Sequence, residues 1–203
     1  MINYLARLGW SHGDAELFSR EQLIEWFDLA HVSHSATQFD PAKLRWMNHQ
    51  YIKGADNAAL AALVAPRVER EGGRLANGPP LAAVIALLKD RADSLNALAE
   101  SAMMFYAELH ADAALLAQHL TEGVRPALRD LEAAFGALGD WSHDPINAAV
   151  QEVIKRHKLK MPALAVPVRV AVLGVTQTPS LAHVLALAGR KRVLARLQQY
   201  SGN

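Results

Sequence analysis

Apolar residues recur every three or four positions along most of this chain, the period of an amphipathic helix. Residues 2–8 form a first short stretch of this kind, stopped by Gly9. Ser19 opens a second. Its hydroxyl can accept from a first-turn amide while Gln22 reaches back, and Leu23, Ile24, Trp26 and Phe27 follow at helical spacing. Residues 31–38 read as a polar loop. Asp40 before Pro41 is another start, an N-cap with proline at the first helical position, and the helix over 42–52 ends at Lys53-Gly54. Further helices are predicted over 58–68, 81–88, 94–110, 112–119, 126–138 and 145–157, the last capped by Ser142 or Asp144. Residues 81–88 are apolar on almost every face and belong in a core. Val166-Pro-Val-Arg-Val-Ala-Val-Leu-Gly174 is the only β-branched run and reads as an extended segment without an obvious partner strand. Thr178 and Pro179 then start a helix that stops at Gly189, with Thr178 as N-cap, and a cationic helix covers 190–199. The fold class that follows is all-α. Gly72-Gly73 and Asn77-Gly78-Pro79-Pro80 are the strongest breakers, and they bracket the candidate domain boundary.

Composition supports the helical reading, because alanine and leucine dominate while β-branched and aromatic residues are sparse. Apolar residues make up 51% of 203, a globular composition with length enough for a sizeable core. There is no cysteine, which excludes disulfides and thiolate metal sites and points to a reducing, cytoplasmic compartment. The start lacks the basic-then-apolar pattern of a secretory signal, and residues 81–88, the longest apolar stretch, are too short to cross a bilayer, so no membrane partner is expected.

Charge is distributed unevenly. From Lys155 onward there is no Asp or Glu, yet Lys155, Arg156, Lys158, Lys160, Arg169, Arg190, Lys191, Arg192 and Arg196 lie there. A long segment without carboxylates suits a polyanionic partner, since each cation near a phosphate releases condensed counterions. Motifs for chemistry are missing: there is no glycine-rich phosphate loop, no Gly-x-Ser-x-Gly elbow and no cysteine nucleophile. His31 and His34 lack a third ligand and read as loop residues, so no metal is expected. Asp130 and Glu132 diverge on their helix and read as surface charge.

Four stretches resemble bacterial glutamyl-tRNA synthetases, in that family's order and at its approximate spacing. They are Asn3-Tyr-Leu-Ala-Arg-Leu-Gly-Trp-Ser-His-Gly-Asp14, Phe39-Asp-Pro-Ala-Lys-Leu-Arg-Trp-Met-Asn-His-Gln-Tyr-Ile52, Leu88-Lys-Asp-Arg-Ala-Asp-Ser-Leu95, and Pro167-Val-Arg-Val-Ala-Val-Leu-Gly174 followed by Thr178-Pro-Ser-Leu181. The resemblance implies a helical stem-contact domain over 1–70 and a two-part anticodon-binding domain over 71–140 and 141–203. It also implies that the family's catalytic domain, which uses ATP and magnesium, precedes Met1, so that this part is non-catalytic and holds no cofactor.

The same resemblance implies roles for particular residues. The arginine in the position of Arg91 contacts the first anticodon base, and arginine there in place of glutamine accompanies charging of the glutamate tRNA alone. Arg169 corresponds to the reader of the third base, and Thr178, Pro179 and Leu181 to the lining of the pocket for the anticodon loop. An arginine fork suits the edge of an unstacked base. Where many members carry threonine before the glycine, this chain has Leu173. Lys43, Arg45 and Asn48 on the Asp40-capped helix are candidate contacts to the tRNA stem. The implied partner is the glutamate tRNA, bound by a monomer. The alternatives are a free-standing helical RNA-binding module, or a nondiscriminating enzyme that also loads the glutamine tRNA.

Overall fold

The computed structural model describes residues 1–33, 37–108 and 112–201, and among them every regular element is a helix. Twelve α-helices follow in order: α1 (Ile2–Arg7), α2 (Arg20–Trp26), α3 (Pro41–Gly54), α4 (Asn57–Arg70), α5 (Leu81–Leu88), α6 (Leu95–Tyr106), α7 (Ala113–His119), α8 (Arg125–Ala137), α9 (His143–Arg156), α10 (Met161–Leu173), α11 (Leu181–Ala188) and α12 (Arg190–Ser201). Three single 3₁₀ turns lie between them, Leu29–His31, Leu75–Asn77 and Lys89–Arg91. The only extended pairing among the described residues is an isolated bridge from Trp10 to Val32.

The starts are set by the expected chemistry. Ser19 and Gln22 form the reciprocal cap of α2, and the Asp40 carboxylate accepts from the amides of Ala42 and Lys43 above Pro41. Asp56, Ser94 and Asp112 cap α4, α6 and α7 in the same way. The helix predicted over 94–110 ends at Tyr106, and Leu109 and His110 lie outside the described residues, as does His34. At α9 the Ser142 side chain makes no cap bond and donates to Asp140 instead.

The N-terminal segment gathers around Trp10, Phe18, Trp26 and Phe27 and is fastened to α3 by polar contacts. The Tyr4 hydroxyl accepts from the Asp40 amide at 2.7 Å and donates to the Asp40 carbonyl at 3.1 Å. Tyr51 donates to Asn3 Oδ1 at 2.6 Å, so the buried Asn3 is satisfied. The main core then runs without a break from Ile52 to Leu197. In it α4 packs on α5 and α6, α8 on α9 and α12, and α9 on α11, while α11 also touches α5. Core contacts therefore pass across the Gly72–Pro80 stretch.

The extended reading of residues 166–174 is overturned: residues 166–173 belong to α10 and Gly174 is its C-cap. Leu164, Ala165, Val168, Val170, Ala171, Val172 and Leu173 are all buried, against α7, α8, α9 and α12. A valine costs a helix up to roughly 0.7 kcal/mol relative to alanine, whereas burying one contributes roughly 1.5–3 kcal/mol. Packing decides, and a helix also satisfies backbone groups that a strand without a partner would leave unpaired. Pro167 sits inside this helix, buried, and Gly174 closes it with φ of 70°, a left-handed conformation that favours glycine.

Candidate nucleic-acid interface

Arg91 ends the 3₁₀ turn between α5 and α6, and Arg169 projects from α10. They are far apart in sequence and meet at the loop after Gly174. Arg91 Nη1 donates to the Thr178 carbonyl at 3.1 Å, and Arg169 Nε donates to the Thr178 hydroxyl at 2.8 Å. That hydroxyl donates in turn to the Pro179 carbonyl at 2.9 Å. Thr178 is one of only three buried polar residues among those described. Its expected role as N-cap is therefore corrected. Its hydroxyl is taken up by Arg169 and Pro179, and α11 starts later, at Leu181, with Ser180 in the cap position.

The electrostatics of this spot are one-sided. Among the described residues, neither Arg91 nor Arg169 forms an ion pair, so Arg91 is not paired with Asp90 or Asp93. Burial holds the Arg169 guanidinium below the usual arginine range, and the nearby charge of Arg91 adds to that. Among the described residues the Arg169 Nη groups have no partner, so two parallel donors are available for an acceptor-rich group. Beside them is a small cavity of about 210 Å³ lined by Asn147, Met161, Arg169, Ser180 and Leu181. The structure thus brings Arg91, Arg169, Thr178, Pro179 and Leu181 into one place.

The three α3 candidates are disposed differently. Lys43 forms an ion pair with Glu16 at 2.5 Å and lies over the Trp46 ring. Asn48 donates its amide to the Asp93 carbonyl at 2.6 Å. Arg45 is exposed and has no partner among the described residues. Leu173 is buried in the core.

Residues 48–201 match the family described as anticodon binding domain. The chain belongs to that family. Its relatives include the glutamate–tRNA ligase of Thiobacillus denitrificans, 56% identical over 198 residues, and that of Janthinobacterium sp., 54% identical over 197 residues. These alignments cover 98% and 97% of this chain but 42% of each relative, so the chain spans about two-fifths of their length. A crystal structure of a glutamate tRNA ligase from Elizabethkingia meningosepticum, in complex with its amino acid, superposes with a TM-score of 0.84 at 22% identity, over 98% of this chain and 40% of that one. At that identity the likeness shows the fold, and the fold is the all-α one expected.

The sequence reading missed Asn147, Met161 and Ser180 as lining of the cavity. Ser180 stood next to a residue already singled out. Nothing in the local pattern marks Asn147, which comes from the middle of α9 and is placed only by tertiary packing. No group of His, Cys, Asp or Glu among the described residues could hold a metal, and no described helix is long and apolar enough to cross a membrane.

Proposed function

We propose that this chain recognises the glutamate tRNA for a glutamate–tRNA ligase, which joins glutamate to that tRNA with ATP. The observation that carries this is the convergence of Arg91 and Arg169 on Thr178, two cations with unused donors and no carboxylate partner. Arg91 meets the first anticodon base and Arg169 the third, and Thr178, Pro179 and Leu181 close the pocket. A cavity below the roughly 300–1,000 Å³ of drug-sized sites suits a single splayed base. Arg169 is pre-organised by its bond to Thr178, which lowers the ordering cost of binding.

On the stem side, Arg45 is the α3 candidate with a free head group. Lys43 would have to leave Glu16 to reach a phosphate. ATP and magnesium go with the ligation chemistry of the whole protein, and no residue of this chain is proposed to hold them.

The test is a filter-binding series with the glutamate tRNA and with tRNAs altered at the first or the third anticodon base. Binding should be salt-dependent and weaker for each altered tRNA. Equal affinity for all three would overturn anticodon recognition.

A further inference from the structure

We infer that Asn48 and His49 are positioning residues for Arg91. In this reading α3 grips the short turn that carries Arg91 and so fixes how its guanidinium is presented. The inference rests on the function proposed above and deepens it.

Three hydrogen bonds join α3 and its end to the segment from Lys89 to Asp93. Asn48 Nδ2 donates to the Asp93 carbonyl at 2.6 Å, and His49 Nδ1 donates to the Ala92 carbonyl at 2.8 Å. Lys89 Nζ donates to the Ala55 carbonyl, just past the last turn of α3, at 2.9 Å. Arg91 lies between these anchors, flanked by the Lys89 side chain on one side and the Ala92 and Asp93 carbonyls on the other, and none of the three bonds uses its side chain. A carbonyl oxygen can only accept, so His49 carries its proton on Nδ1 here.

The grip matters because of what it holds. A 3₁₀ turn has poorer hydrogen-bond geometry than an α-helix, so bonds from its surroundings add to what fixes it. The Arg91 side chain is long, and its single anchor is the Thr178 carbonyl. With one anchor at the tip, the position of its Cα decides where the remaining donors point. One N–H of the exposed Asn48 amide is therefore engaged by the Arg91 turn, while among the described residues its second N–H and its Oδ1 stay open for the stem contact expected from its position on α3.

A tether that merely joined α3 to the bundle would act on all tRNAs alike, and this separates the two roles. The chain as it stands would be titrated with the glutamate tRNA and with its first-base and third-base variants. Asn48→Asp keeps the shape and removes the donor, His49→Ala removes the ring, and His49→Asn keeps a donor near the Nδ1 position. Asn48→Asp and His49→Ala should each shrink the first-base preference by about tenfold, the order expected for a group displaced by a fraction of an ångström to an ångström. The third-base preference should stay as in the unaltered chain, and His49→Asn should restore most of what His49→Ala loses. Should Asn48→Asp fail to fold, the two His49 variants carry the comparison. Arg91→Gln, run in parallel, tells two failures apart. If it leaves the first-base preference intact, the reading of Arg91 itself is overturned. If it abolishes that preference while Asn48→Asp and His49→Ala do not, or while they weaken all three tRNAs equally, the positioning role alone is overturned.

Discussion

Arg169 donates its Nε–H to the Thr178 hydroxyl, 2.8 Å away, and its two terminal nitrogens have no partner among the described residues. Lysine has no equivalent of this division: its single ammonium can replace the anchor or the reader, but not both. Arg169→Lys should therefore behave like Arg169→Ala. Each should cost on the order of 1–3 kcal/mol for the cognate third anticodon base, by analogy with bidentate base contacts in DNA. Titration of both variants with tRNAs altered at that base checks this. Rescue by lysine with an equal loss on every tRNA would make Arg169 a phosphate clamp instead.

Thr178→Val keeps the shape of the side chain and removes the hydroxyl. Arg169 Nε and the Pro179 carbonyl then lose their partner, so thermal unfolding should show a loss of about 1 kcal/mol. The third-base preference should fall with it, because the guanidinium is no longer held. An unchanged preference in a folded Thr178→Val chain would mean that the hydroxyl does not orient Arg169.

The split between what was legible and what was not follows from range. Local chemistry announced itself: the Ser19–Gln22 box, Asp40-Pro41 and the stop at Gly189 act on neighbours only, and each stands where the sequence puts it. Residues 166–174 misled because their β-branched side chains are buried on nearly every side by helices from elsewhere in the chain, and no local window contains that information. Thr178 misled for a similar reason. Threonine before proline is a sound N-cap signal until an arginine nine residues back competes for the hydroxyl. The set Arg91, Arg169, Thr178, Pro179 and Leu181 was nameable only through family resemblance. Its convergence was not visible, because 87 positions separate Arg91 from Thr178.

Gly78 reads as a breaker in the sequence, but its backbone is extended, with φ of −118°, and would accept a side chain. The constraint is space. A Cβ there would fall 2.4 Å from Tyr106 Cδ1 and 3.0 Å from the Phe105 carbonyl oxygen. Tyr106 is buried and donates to the Pro79 carbonyl, so its ring has little room to give. Gly78→Ala should destabilise the chain by about 1–3 kcal/mol through overpacking. Chemical denaturation checks this, and a midpoint unchanged from the parent would show that the Tyr106 ring moves freely.

Tyr106 also supplies a pH signature. Burial pushes its phenol from the ordinary value near 10 up to about 12. The folded chain then holds this proton more tightly than the unfolded chain does. Its contribution to stability is complete below pH about 10 and is lost as pH rises from there through about 12. Burial raises the Tyr51 phenol as well, so a spectrophotometric tyrosine titration should show two of the four phenols displaced upward, and Tyr106→Phe should remove the step near 12. A titration in which Tyr106 ionises with exposed tyrosine while the chain stays folded would contradict the burial argument.

The cationic C-terminal end divides into two kinds of residue, and they should fail in different assays. Its five arginines all have partners within the chain. Arg156 pairs with Asp130 and Glu152, Arg190 donates to the Gly136 carbonyl, Arg196 donates to the Ala171 carbonyl, and Arg169 is held by Thr178. Arg192 is the most committed. Its two Nη groups donate to the Phe105 and Met104 carbonyls at 2.7 Å each, at the end of α6, where a cation also meets the negative end of the helix dipole. Burial, with the charge of Arg196 added, holds its guanidinium below the usual arginine range. Arg192→Met should therefore unfold more easily by about 2 kcal/mol, the scale of a lost charged hydrogen bond, whatever it does to RNA. Lys155, Lys158 and Lys160 are exposed, and their side chains have no partner among the described residues. Lys155 is in the last turn of α9, and Lys158 and Lys160 lie on the segment that leads to Met161, which lines the cavity beside Arg169. Changing all three to glutamine should leave stability within about 0.5 kcal/mol, as for surface positions generally. It should instead flatten the salt dependence of tRNA binding. The slope of log affinity against log salt should drop by about 0.7 for each phosphate of single-stranded RNA that is no longer neutralised. If the lysine variant keeps the parent slope while Arg192→Met keeps the parent stability, this division of labour is wrong on both counts.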